Sequence, residues 1–158
     1  MFLLPSKKFS WILLALFFIF DAISSYYAIG YLGAKEGNPI IAPLVQKNPI
    51  LFFPIMVFGY ILVYVIYFIL KTIFLIILKK FRYITKILIE KIVLVSISIF
   101  YFFTVILNNS LYILGFKAPG MLRICLSIGL SAAIIYGILA LYMFSRKKLS
   151  HSLPEPTI

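Results

Sequence analysis

Residues 9 to 33 read FSWILLALFFIFDAISSYYAIGYLG, an apolar run of membrane-spanning length with one carboxylate, Asp21, at its middle. About 20 mostly apolar residues cross the hydrocarbon of a bilayer as a helix. A helix is needed there because each backbone polar group must find its partner within the segment. Further apolar runs, bounded by charge or turn residues, cover about 50–78, 87–115 and 121–145. The second is entered through Asn48-Pro49, with proline where a first helical turn leaves amides unpaired anyway, and Pro54 is placed to bend its outer end. The fourth follows Ala118-Pro119-Gly120 and closes on Arg146, Lys147 and Lys148. These runs predict an all-α polytopic membrane protein, a four-transmembrane-helix bundle over residues 1–148. A polar, proline-containing tail over 149–158 has too few apolar residues to pack and is expected to be disordered.

Working outward from the spans, the composition agrees. Of 158 residues, 64% are hydrophobic and 12% charged, a balance that excludes a water-soluble globule. The net charge of +11 gathers beside the spans. One side holds Lys7, Lys8, Lys79, Lys80, Arg82, Lys86, Lys91, Arg146, Lys147 and Lys148, and the other only Lys35, Lys47, Lys117 and Arg123. Because cytoplasmic loops are enriched in Lys and Arg, both termini are expected in the cytoplasm. The basic side is expected to meet anionic lipid headgroups rather than nucleic acid. Lys7, Lys8, the stretch Trp11 to Phe20 and Ala22-Ile23-Ser24 also have the shape of a secretory signal. The apolar run that resumes from Tyr26 to Gly33 favours a span.

Whole chemistries are missing from the sequence. Cys125 is the only cysteine, His151 the only histidine, and Asp21, Glu36, Glu90 and Glu155 the only acids. A disulfide, a thiolate metal cluster, a histidine-based triad and an aspartyl dyad all need more. Glycine-rich phosphate-binding patterns are lacking too. No cofactor or metal is expected, and an intramembrane enzyme using Glu36 or Asp21 as general base ranks last among the readings.

The polar residues inside the spans carry what information there is. A charged side chain at a helix centre costs about 2.5 to 3.5 kcal/mol on insertion scales, so it usually faces protein or water. Asp21 lies about 18 Å from either end of its run at 1.5 Å per residue, and Ser24 and Ser25 follow on the same face. In the second run Tyr60, Tyr64, Tyr67 and Lys71 share a face; in the third Ser98, Tyr101, Thr104, Asn108 and Tyr112 do, with Asn109 beside them. Counting helical rise puts Tyr64, Tyr101 and Thr104 level with Asp21, and Asn108, Asn109, Tyr60 and Tyr112 nearer the outer surface. A polar interior floored by Asp21 and open outward is one reading. Ordinary interhelical hydrogen bonding, worth about 0.6 kcal/mol per bond, is the other. In the fourth run Gly129, Ala133 and Gly137 form a small-residue stripe suited to close helix packing, either within the chain or against a second copy.

The loop AKEGNPIIAPLVQKNP, residues 34–49, separates the first two runs. Asn38-Pro39 imposes an extended or turn conformation, and Ile40 to Val45 is apolar enough to lie at the interface or dip into it. Glu36 and Asp21 are separated by about 22 Å in an unbroken helix. They share a site only if the chain unwinds near Gly30 or Gly33 and folds back. Asp21-x-x-Ser24-Ser25 followed by Glu36-x-Asn38-Pro39 resembles the signature of a family of small prokaryotic four-span membrane proteins of unknown function, in which an aspartate followed by serine or threonine precedes an E-x-N-P turn. The resemblance is confined to residues 21–39. It implies a four-span fold in a prokaryotic plasma membrane and a set of residues to test, with no activity attached. Here two serines occupy the Ser/Thr region, and the later spans hold no motif that aligns.

Two functions follow as expectations. In one, the chain is an accessory or structural subunit that docks on other membrane subunits, or on a second copy, through Gly129, Ala133 and Gly137. In the other it is a small transporter or ligand- or ion-binding protein, whose interior is lined by Asp21, Ser24, Ser25, Glu36, Asn38, Tyr60, Tyr64, Tyr101, Thr104, Asn108 and Asn109.

Overall fold

The computed structural model describes residues 4–36, 38, 40–78, 86–116 and 120–150, the last six by backbone alone. Four helical spans cross the molecule, and no strand occurs among the described residues. Helix α1 (Lys7–Leu32) begins where the Ser6 side chain accepts from the Phe9 amide at 3.1 Å, a serine N-cap. It ends at Gly33, whose φ of 66° is the left-handed conformation that glycine adopts freely. A short turn of helix, α2 (Ala42–Val45), and a 3₁₀ turn (Pro49–Leu51) lead into α3 (Phe52–Leu78). Pro54 stands in the first turn of α3, where the missing amide costs little. The third span is α4 (Lys86–Tyr101), one π-helical turn (Phe102–Ile106) and α5 (Leu107–Ile113); the fourth is α6 (Met121–Ser150).

Several boundaries differ from the sequence reading. The third run is not one regular helix. Helix α6 continues past Ser145 to Ser150, taking in Leu149 and Ser150 of the predicted tail. The rest of that tail lies outside the described residues, as do Lys79, Lys80 and Arg82 of the basic loop, Pro39, and the Lys117-Ala118-Pro119 turn.

The first and third spans form the centre. Leu14 and Phe18 of α1 pack with Ile89, Val93 and Leu94 of α4 and with Tyr67 of α3. Phe18 stacks on Tyr101 with ring centroids 4.3 Å apart. At the Lys7 end, Glu90 accepts from Lys7 Nζ at 3.0 Å and from Lys71 Nζ at 2.9 Å, joining three spans through one carboxylate. Long apolar side chains such as Phe58, Leu62 and Ile76 on α3 and Ile138 on α6 point outward, as expected of surfaces solvated by lipid tails. An open apolar groove of about 560 Å³ runs between α3, α4 and α6.

The fourth span rests on the third through the small-residue stripe. Ser96 Oγ donates to the Ala133 carbonyl at 3.4 Å. A Cβ built on Gly129 meets Thr104 Oγ1 at 2.7 Å, the Phe100 carbonyl at 3.0 Å and Phe103 Cβ at 3.2 Å, whereas one on Gly137 meets only Ser96 Oγ at 3.8 Å. Gly129 is thus packed against the third span, while Ala133 and Gly137 also line the open groove. Gly129→Ala is expected to destabilise the protein by about 1–3 kcal/mol through overpacking against backbone. Gly137→Ala is expected to be neutral or mildly stabilising, since alanine favours a helix by about 1 kcal/mol. Thermal unfolding of both variants in mild detergent checks the contrast.

Candidate functional site

Asp21 is 5% exposed and points at the third span. Its two oxygens collect three donors: Tyr101 OH to Oδ2 at 2.6 Å, Ser25 Oγ to Oδ1 at 3.0 Å and Asn109 Nδ2 to Oδ1 at 2.8 Å. A carboxyl buried without such partners costs several kcal/mol, roughly the penalty for any unsatisfied ionic group in a low-dielectric interior. Ser24 Oγ donates to the Asp21 carbonyl at 3.1 Å and accepts from Asn109 Nδ2 at 3.0 Å. Every donor to the carboxylate is neutral. Among the described residues the ion pairs lie at Glu90, and Asp21 has none.

The π turn explains how Tyr101 and Asn109 reach one carboxylate. Eight residues of α-helix advance about 800°, which leaves them some 80° apart on the wheel. A π turn closes i→i+5, as the Leu107 amide does on the Phe102 carbonyl, and so accommodates one extra residue. That residue takes back about 100° and aligns the two side chains to within roughly 20°. A regular helix would have aligned Asn108 with Tyr101 and Thr104 instead, and would have turned Asn109 aside.

Around this cluster lies a cavity of about 430 Å³ lined by Asp21, Ser25, Glu36, Asn38, Thr104, Asn108 and Asn109, together with Lys35, Phe52, Met56, Tyr112 and Leu122. Tyr101 holds the carboxyl without lining the cavity, and Ser24, also off the cavity wall, meets the Asp21 backbone carbonyl and Asn109 instead. Asp21 and Glu36 share it because the chain leaves the helix at Gly33 and folds back; no hydrogen bond joins the two side chains. Glu36 Oε1 accepts from the Asn38 amide at 2.7 Å and Asn38 Oδ1 from the Ile40 amide at 3.0 Å, so both also shape the loop over the cavity mouth. The apolar stretch after them forms α2 with Val45 fully buried, while Ile40 points outward. Thr104 reaches the cavity, but its Oγ1 lies against Gly129 and has no hydrogen-bond partner among the described residues.

Tyr60 and Tyr64 are placed elsewhere. Tyr60 OH donates to the Trp11 carbonyl at 3.4 Å, and the Tyr64 ring, 54% exposed, lies 5.4 Å from that of Trp11. The stripe through Tyr60, Tyr64, Tyr67 and Lys71 faces Trp11 and Glu90 rather than Asp21. The reason is register. Pro49 sits beside Gly30, 3.8 Å from where its Cβ would be, so the second span lies deeper than an entry level with the end of the first run at Gly33 implies. The offset of about four residues moves Tyr64 some 6 Å along the bundle and brings Phe52 and Met56 to the cavity instead.

No family model, curated protein or solved structure matches this chain. The resemblance to a four-span family therefore rests on the residues between Asp21 and Pro39 alone, and the site is read from its own geometry.

Removing the Tyr101 hydroxyl leaves Asp21 Oδ2 without its short hydrogen bond. Tyr101→Phe is expected to lower stability by about 1–3 kcal/mol, whereas Tyr64→Phe, at an exposed ring, is expected to stay within about 0.5 kcal/mol of the parent. Unfolding in detergent with both variants side by side measures the difference.

Proposed function

We propose that this integral membrane protein takes up a small polar ligand in the cavity floored by Asp21, either to hold it or to pass it across the bilayer. The observation that carries the reading is the cavity itself. A mid-span carboxylate with only neutral partners shares one polar space with Glu36 and Asn38 of the loop, 430 Å³ in volume, enough for a ligand of several heavy atoms and its waters. Intramembrane carboxylates are costly and commonly mark substrate or ion pathways. The excess of basic residues on the Lys7 side supports a reading with the termini in the cytoplasm and the cavity mouth on the outer face of a prokaryotic plasma membrane.

The accessory-subunit reading survives in altered form. Gly129 is packed against the third span, and the surface that favours docking is the apolar groove between α3, α4 and α6, which Ala133 and Gly137 line. A single monomeric band on a native gel after mild solubilisation removes that reading.

Cysteine labelling tests the cavity. Cys125, the only cysteine, is buried, so a Cys125→Ala background is silent. Asn108→Cys in that background is expected to react with a membrane-impermeant maleimide added outside intact cells, and Tyr64→Cys is not. Asn108→Cys that stays unlabelled from outside sinks the outward-open cavity.

A further inference from the structure

At the inner end of the cavity one nitrogen sits among three oxygens. Asn109 Nδ2 lies 2.8 Å from Asp21 Oδ1, 3.0 Å from Ser24 Oγ and 3.2 Å from Ser25 Oγ. A carboxamide has two N–H bonds, both in its own plane, so it cannot give each of the three acceptors a hydrogen bond of its own. The acceptors are real ones, because each hydroxyl proton is used elsewhere. Ser24 donates to the Asp21 carbonyl and Ser25 to Asp21 Oδ1, which leaves hydroxyl lone pairs turned toward the nitrogen. The cradle therefore offers three oxygen donors and one negative charge to a group that is neutral and one hydrogen short.

We propose that Asp21 Oδ1, Ser24 Oγ and Ser25 Oγ form a binding site for a small monocation, a primary ammonium or an alkali ion, and that the Asn109 carboxamide is a tethered occupant displaced when the cation enters. This rests on the cavity reading above and names the ligand class for it. A primary ammonium supplies three N–H donors and one positive charge; an alkali ion supplies the charge to the same three oxygens. A divalent ion usually gathers more carboxylates than this single one. Displacement is feasible because, among the described residues, the one hydrogen bond that holds the Asn109 side chain outside the cradle comes from Asn108, whose Nδ2 lies 3.5 Å from Asn109 Oδ1, a long contact. The adjoining cavity has room for the swung-out carboxamide, and Glu36 on its wall adds a second negative charge along the way in.

Thermal unfolding of the full chain in mild detergent provides the test, at fixed ionic strength in sodium chloride, methylammonium chloride or choline chloride. Choline is the control, being bulky and without N–H groups. Sodium, methylammonium or both are expected to raise Tm over choline by about 5 °C at roughly one hundred times Kd. A response to sodium alone identifies an alkali site, to methylammonium alone an ammonium site, and to both a site that reads charge and size. Asp21→Asn and Ser25→Ala are expected to abolish the response. Should Asp21→Asn not fold, Ser25→Ala carries that arm, since it removes one oxygen and keeps the carboxylate. Asn109→Ala is expected to keep the response and to half-saturate at a several-fold lower concentration. The proposal is overturned by equal Tm in all three salts, by a response that persists in Ser25→Ala, or by its loss in Asn109→Ala. Labelling at Asn108→Cys needs no cation, so a labelled protein indifferent to salt loses this inference while keeping the cavity, and an unlabelled one loses both.

Discussion

The carboxyl group of Asp21 governs how the first and third spans are arranged. At 5% exposure it is almost wholly enclosed by protein, and a buried acceptor left unpaired is expensive. Its satisfaction comes from three neighbours, of which only Ser25 lies on the same helix; Tyr101 and Asn109 come from the far side of the central helix pair. The two neutral hydrogen bonds from Tyr101 and Asn109 fix the rotation and depth of the third span against the first more tightly than apolar packing does. Between helices in lipid, the solvent is as apolar as the side chains and gives little preference among registers.

The π turn and Gly129 belong to the same arrangement. The wide turn brings Asn109 round to Asp21 and at the same place presents the Phe100 carbonyl and Thr104 to the fourth span. A side chain at position 129 would stand in that space, so the glycine lets α6 lie directly on the irregular turn. The polar cluster and the packing of the fourth span are thereby linked through five residues of the third. At the Lys7 end the link is of another kind, one carboxylate between two ammonium groups, and three spans are held together there. The cavity occupies the other end, under a loop held by Glu36 and Asn38 through backbone amides.

Much of this was legible in the sequence, and the misses have physical causes. Span number and helical class follow from apolar run length, because the bilayer sets one dimension and leaves few solutions. Asp21, Ser24, Ser25, Glu36, Asn38, Thr104, Asn108 and Asn109 were identifiable as polar groups in apolar surroundings. That Asp21 meets Tyr101 was legible as a match in depth. Tyr60 and Tyr64 were misassigned because helical periodicity says which residues share a face but not which neighbour the face meets, and because the loop sets the second span deeper than its first apolar residue implies. The role of Asn109 was obscured by the assumption of 3.6 residues per turn throughout. No residue in Phe102–Ile106 announces a π turn, which is stabilised by what surrounds it rather than by local propensity.

A π turn is, in genetic terms, a helix with one codon inserted. Deleting any one residue between Phe102 and Ile106 would leave a segment still long and apolar enough to cross a bilayer and, as a regular helix, would keep Tyr101 and Asn109 within about 20° of each other, now seven residues apart. Hydrophobicity, charge bias and span count would all be unchanged, so a sister sequence lacking that codon would look the same by every bulk measure and keep the amide at its polar centre, while losing the wide turn that lies against Gly129.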